Sequence, residues 1–200
     1  MKHHHLTRSW LQIYARTCAV LFLLSLLASC QSTPPIPPEH AAATQLLTLI
    51  DQRLAVAPLV AKAKWNSGGP VDDPAREKSI LDVVANQATQ AGVDAAFARE
   101  FFQAQFDAGK LIQTKLHEQW RLAGQPHFTD APDLGRDVRP VLDRLNPQII
   151  AALREVYPTL HQTATVEFIK AQGRNLVRND VGGEVRAIAL RPLINAGSAN

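Results

Sequence analysis

The chain is 200 residues long, enough for one domain with a sizeable core or for one domain behind an export segment. Its net charge of +3 misleads, because removing Lys2, Arg8 and Arg16, which precede Cys30, from the 21 basic residues leaves 18 against 18 acidic ones. That balance gives no support for nucleic-acid binding, and low aromatic content (6%), abundant Ala and Leu and little strand-type alternation predict an all-α fold.

The N-terminal segment has a basic region ending near Arg16 and then an apolar run of eleven residues, CAVLFLLSLLA, from Cys18 to Ala28. Such a run suits the apolar core of a signal peptide and falls short of the roughly 20 residues that span a bilayer. Leu27-Ala28-Ser29-Cys30 resembles the lipobox of bacterial lipoproteins. The resemblance implies that residues 1–30 are a lipoprotein signal, with Cys30 lipidated at the new N-terminus. Gln31 is not Asp, which in Gram-negative lipoproteins would favour passage to the outer membrane. The alternative is a plain secretory signal cleaved near Ala28 or after Cys30. Either way the expected location is outside the cytoplasm, in the periplasm or anchored to a membrane by lipid. His3, His4 and His5 fall in the part removed and do not argue for a metal site. No cysteine follows Cys30, so the body can hold no disulfide, cysteine-zinc cluster or cysteine nucleophile. Residues 31–40, QSTPPIPPEH, favour extended polyproline II and read as a semi-rigid tether.

Residues 41–200 read as one bundle of about five to six helices. The first helix is predicted from Ala41 to about Trp65, with Leu46, Leu49, Ile50 and Leu54 as its apolar stripe and a kink at Pro58. Asn66 to Pro70 is a breaker cluster. Asp73 is the expected N-cap of a second helix, with Pro74 at its first position and Gly92 beyond its end. Asp94 caps a long third helix that closes before Gly124. A connection of about ten residues leads to a fourth helix starting near Arg139 and ending at Tyr157-Pro158. Leu160 to Ala171 reads as a fifth helix and Glu184 to Leu190 as a further short one, with fraying expected from Asn195. There is no internal repeat, glycine-rich phosphate loop or HExxH motif.

The informative stretch is Arg53 to Glu77. Arg53 and Lys64 lie eleven residues apart, which on one helix is three turns plus about 20°, so they share a face about 16 Å apart along the axis. Arg76 and Glu77 follow just inside the second helix, and the set suits a small anionic ligand held on rigid elements. Singly, each residue has a plainer reading. Arg53 and Lys64 would be a solvated edge, Asp73 a cap, Glu77 a first-turn acid facing the helix dipole and Gln113 a surface amide. Gly109 is unusual, because a mid-helix glycine costs about 1 kcal/mol relative to alanine and commonly marks close approach of another backbone or of a ligand.

Jointly, the order of Arg53, KAK ending at Lys64, a Ser/Gly/Pro-Val loop, Asp73-x-x-Arg76-Glu77 and FF…K-L-I-Gln113 resembles the helical chorismate mutases. The motif residues run from about Leu46 to Gln113, and the longer body with an export signal is similar to the secreted, gamma-type branch. The resemblance implies a type II chorismate mutase fold and an isomerase (an intramolecular transferase) that converts chorismate to prephenate on the route to phenylalanine and tyrosine. It implies Arg53 on a substrate carboxylate, Lys64 on a carboxylate and the ether oxygen, and Arg76 as a second arginine of the pocket. It further implies Asp73, through its backbone, and Glu77, through its side chain, at the ring hydroxyl, with Gln113 at the ether oxygen opposite Lys64. Arg139, after Pro132-Asp133-Leu134, matches the arginine that this branch supplies from its own fourth helix, with Arg136 as a competitor. Gly109 stands where relatives often have a small hydroxyl residue, so that contact is absent or made by backbone. No cofactor or metal is implied, and a homodimer with a complete site in each chain is expected. The rival readings are a non-catalytic exported lipoprotein that binds an anionic ligand or a partner protein, and a pyruvate-releasing lyase acting on isochorismate.

Overall fold

The computed structural model describes residues 37–180 and 182–198. The signal segment, Cys30 and the tether up to residue 36 lie outside the described residues. Among the described residues the architecture is helical throughout, with seven α-helices, or six if the first two are counted as one broken helix. They are α1 (Pro38–Ala55), α2 (Ala57–Ser67), α3 (Pro74–Gln90), α4 (Ala95–Leu122), α5 (Arg139–Val156), α6 (Thr163–Leu176) and α7 (Glu184–Asn195).

The first helix begins at Pro38, inside the stretch predicted as tether. Proline at a first helical position lacks only an N–H that would be unpaired anyway, and its fixed φ favours the turn. The predicted kink is a one-residue break at Val56, two residues before Pro58, which stands in the first turn of α2. Val56 keeps helical angles (φ −80°, ψ −22°), and Arg53 and Lys64 on either side of the break line the same cavity. Gly68 closes α2 at φ +69°, a left-handed cap that only glycine adopts freely.

Asp73 and Asp94 cap α3 and α4 as expected, their carboxylates accepting from Arg76 N and Phe97 N. The connection after α4 holds one turn that the sequence reading did not anticipate, a π-helical segment from Leu134 to Val138 that leads directly into α5 at Arg139. Asp133 accepts from Arg136 N while Asp137 accepts from Asp133 N, a reciprocal cap that fixes this turn. The fifth predicted helix starts later, at Thr163, after a 3₁₀ turn from Tyr157 to Thr159 around Pro158. The C-terminal helix runs on to Asn195, and the segment expected to fray continues as a 3₁₀ turn over Ala196–Ser198. Gly197 is packed in place, since a Cβ there would stand 2.5 Å from Val166 Cγ2 and 3.1 Å from the Leu160 carbonyl.

The core is one cluster running from Leu46, Leu47, Ile50 and Leu54 of α1 through Phe101 and Phe102 of α4 to Ile149 and Leu153 of α5. Helix α4 lies against α2, α3 and α7, while α1 lies against α5 and α6. Gln105 of α4, almost fully buried, donates to the Ala189 carbonyl of α7 at 2.8 Å and ties the C-terminal helix to the centre.

Candidate functional site

One cavity draws side chains from α1 to α5. Arg53 comes from α1, Lys64 from α2, and Asp73, Arg76 and Glu77 from the start of α3; α4 adds Phe106, Gly109, Lys110 and Gln113, and α5 adds Arg139 and Asn146. The seven residues singled out as the site are therefore all in its wall. Arg136 is not. Its side chain is 78% exposed and pairs with Asp137, whereas Arg139 lines the cavity and makes no hydrogen bond or ion pair among the described residues.

Arg53 is the most buried of the cations, only 7% exposed. Its Nη1 donates to Asn146 Oδ1 at 3.1 Å, and its guanidinium lies over the Phe106 ring at 5.3 Å and the Phe102 ring at 6.0 Å. Stacking on aromatic faces suits arginine, whose planar cation is weakly hydrated. Burial pushes its pKa down to about 10, with the Asp143 charge opposing the change. The guanidinium thus keeps its charge at neutral pH. Its Nε, also buried, has no partner among the described residues.

Lys64 is half-buried and donates from Nζ to the Val71 carbonyl at 2.6 Å, across the loop between α2 and α3. Its pKa lies below the ordinary lysine value of 10.5, first because burial penalises the ammonium; Asp73, Glu77 and Asp72 pull it up and Arg139 pushes it down. Arg76 reaches Asp143 at 3.6 Å across partly exposed surface, a pair worth little. Glu77 accepts at Oε2 from Lys110 at 3.2 Å and from Gln103 at 3.4 Å.

Gln113 is 7% exposed, with Nε2 donating to the Gly109 carbonyl one turn back at 3.2 Å. An amide nitrogen carries two hydrogens, so one remains for a ligand. A Cβ on Gly109 would meet nothing within 4 Å, so no neighbouring backbone explains this glycine. It lines the cavity, where the missing side chain leaves open space.

Sequence reasoning missed Asn146, Phe106 and Lys110. Asn146 closes the segment R-P-V-L-D-x-L-N, and its separation of 93 residues from Arg53 hides the pairing. Phe106 is one of several phenylalanines on α4, and nothing in its spacing sets it apart from Phe101 and Phe102. Lys110 stood in the K-L-I-Gln113 motif without a role of its own, although Gln103, Asp107 and Lys110 recur at helical spacing.

Comparison with known proteins agrees with this geometry. The family model of chorismate mutase type II matches residues 42–114. A secreted chorismate mutase of Mycolicibacterium smegmatis is 34% identical over 122 residues, which cover 60% of this chain and 67% of that one. The secreted chorismate mutase of Mycobacterium tuberculosis is 27% identical over 175 residues, 84% of each chain. A crystal structure of a chorismate mutase from Burkholderia thailandensis superposes with a TM-score of 0.70 at 38% identity, covering 76% of this chain and 98% of that one.

Because Asn146 is, among the described residues, the one hydrogen-bond partner of a buried guanidinium, removing its side chain leaves that cation unsatisfied. Asn146→Ala is expected to lower the unfolding free energy by about 1–3 kcal/mol in a urea titration, with helical content retained. A loss below about 0.5 kcal/mol would show that the phenylalanine rings hold Arg53 without it.

Proposed function

The chain belongs to the chorismate mutases of type II, and on that premise we propose that it is an exported chorismate mutase whose cavity between α1 and α5 converts chorismate to prephenate. The observation that carries this reading is the convergence of Arg53, Lys64, Arg76 and Arg139 with Gln113 on one cavity wall.

The reaction is a unimolecular rearrangement in which the ether C–O bond breaks as a C–C bond forms. The protein's task is to hold a compact conformer of a dianion and to stabilise charge growing on the ether oxygen. Arg53, Arg76 and Arg139 grip the two carboxylates, since a planar guanidinium matches a carboxylate with two parallel hydrogen bonds. Lys64 and Gln113 donate to the ether oxygen from opposite sides. Glu77 accepts from the ring hydroxyl, and the Asp73 backbone holds it from the start of α3. Loss of one such donor costs roughly 10² to 10³ in rate.

The relatives named as secreted support export of this chain. We infer further that Cys30 is lipidated in the periplasm, on the strength of Leu27-Ala28-Ser29-Cys30, and that the protein works as a homodimer. A cavity lined by side chains of one chain supports a complete site in each subunit. Cys30→Ser should abolish incorporation of labelled palmitate; an unsubstituted chain that takes up no label has a plain secretory signal. Sedimentation at working concentration checks the dimer, and a monomer with full turnover would remove that inference.

The purified protein, given chorismate and then acid, should yield phenylpyruvate. Release of pyruvate from isochorismate in its place would indicate the lyase, and unchanged bound chorismate a ligand-binding protein. Lys64→Ala is expected to abolish turnover with little loss of helicity, and retained activity would remove Lys64 from the mechanism.

An amide donates without titrating, so turnover should stay level from acid to mildly alkaline pH. The fall above that range belongs to Lys64, whose lowered pKa releases its proton at a lower pH than an ordinary lysine. Gln113→Glu needs the neutral acid in order to donate, so its turnover should fall as pH rises through neutrality. A parent profile that already falls there would overturn the role given to Gln113.

A further inference from the structure

One charged side chain in the cavity wall has no part in the mechanism above. Lys110 stands three residues before Gln113 on α4, and its Nζ lies 3.2 Å from Glu77 Oε2, 3.4 Å from Asp107 Oδ1 and 3.4 Å from Asp72 Oδ1. These pairs are unequal. The Asp72 side chain is 71% exposed, so water screens that contact strongly. Glu77 is 18% exposed and Lys110 23%, which makes theirs the best shielded of the three.

A second donor acts on the same carboxylate oxygen. Gln103 Nε2 lies 3.4 Å from Glu77 Oε2 and 2.9 Å from Asp107 Oδ1. Gln103, Asp107 and Lys110 follow one another at helical spacing, so a single face of α4 presents an amide, an acid and a cation to the first turn of α3. Both donors converge on Oε2, and among the described residues Oε1 has no hydrogen-bond partner. Burial disfavours the Lys110 ammonium, but its hydrogen bonds to Glu77 and Asp107 and their charges outweigh that and hold its pKa above the ordinary lysine value. Lys110 therefore keeps its charge at neutral pH.

Glu77 presents an electrostatic difficulty. A cavity for a dianion gathers cations, and an ionised carboxylate in its wall repels both substrate carboxylates unless its charge is offset nearby. Resting on the reading of Glu77 as the acceptor for the ring hydroxyl, we propose that Lys110 is a positioning residue. It fixes Glu77 through Oε2 and offsets its charge, leaving Oε1 to accept from the hydroxyl of a dianionic substrate. A lysine that only ties α4 to α3 would affect stability and leave substrate affinity alone.

The test is a double-mutant cycle on the full chain, with KM and kcat for chorismate measured separately. Lys110→Met should raise KM roughly tenfold with kcat within about threefold, the signature of binding lost equally from ground and transition states. Lys110→Arg should bring KM back to within about threefold of the parent. In the Glu77→Gln background there is no charge to offset, so adding Lys110→Met should change KM by less than about twofold. An equal rise in both backgrounds, or an unchanged KM in the first, overturns the proposal. Should Lys110→Met fail to fold, Lys110→Gln takes its place in the same cycle. A parent that turns chorismate over without this coupling refutes the role of Lys110 alone, whereas a parent with no turnover refutes the mutase reading and this inference with it.

Discussion

Gathering several cations around one cavity is the constraint on which the rest of this structure depends. Arg53, Lys64, Arg76, Lys110 and Arg139 approach one space from five helices, and each loses part of its hydration there. Taking a charge out of water costs several kcal/mol unless partners replace the lost contacts. The protein replaces them unevenly. Arg53 has two aromatic faces and one amide, Lys64 has a backbone carbonyl, Lys110 has three carboxylates, and Arg139 has nothing among the described residues. The depressed pKa values of Arg53 and Lys64 express the same deficit, and both have burial as their largest cause. An anion entering the cavity supplies what the fold withholds. Donors already aimed at the place where charge grows need no reorganisation during reaction, and that preorganisation is the physical basis of catalysis without a covalent intermediate.

Rigid placement of these charges follows from local backbone chemistry. The break at Val56 interrupts the helix for one residue with near-helical angles, and Arg53 and Lys64 on either side of it line the same cavity. The Asp73 cap fixes the first turn of α3, and that turn carries Arg76 and Glu77. In this way a helix start stabilised for ordinary reasons also aims two charged side chains. Gly109 contributes by subtraction, since its missing side chain leaves open the space beside Gln113.

Much of the fold and most of the site were legible in the chain, for different reasons. Asp73 and Asp94 were readable as caps because capping is local and has a fixed offset to the backbone N–H it satisfies. Arg53, Lys64, Arg76, Glu77 and Gln113 were readable because they lie within the 42–114 stretch that the family pattern covers. Arg139 lies beyond that stretch, and choosing it over Arg136 took geometry. The π turn points Arg136 outward to Asp137 and delivers Arg139 inward. Asn146 and Lys110 were not legible as partners of Arg53 and Glu77, because those contacts join positions 93 and 33 residues apart and leave no mark in local periodicity. The C-terminal turn was misread for a related reason. Gly197 suggests looseness in sequence, yet its packing against Val166 and Leu160 depends on a helix pair that no short window contains.

Arg139 also sets a requirement on the loop before it. A guanidinium at the end of a connection running from Ala123 to Asp133 is useful only if that connection holds still. Asn66 of α2 holds it with both ends of its amide, donating to the Phe128 carbonyl at 2.7 Å and accepting from Phe128 N at 2.8 Å. Lys62 pairs with Asp130 at 2.7 Å and lies over the Phe128 ring, while Phe128 packs edge-on to Trp120 and Trp120 to Trp65. The exposed ion pair is worth little by itself. The bidentate amide and the aromatic stack carry the restraint, because they join a half-buried side chain to backbone polar groups that would otherwise be unpaired. Helix α2 therefore acts on both sides of the chemistry. One face presents Lys64 to the cavity, and the positions beside it, Lys62, Trp65 and Asn66, clamp the loop that leads to Arg139 in the same cavity wall.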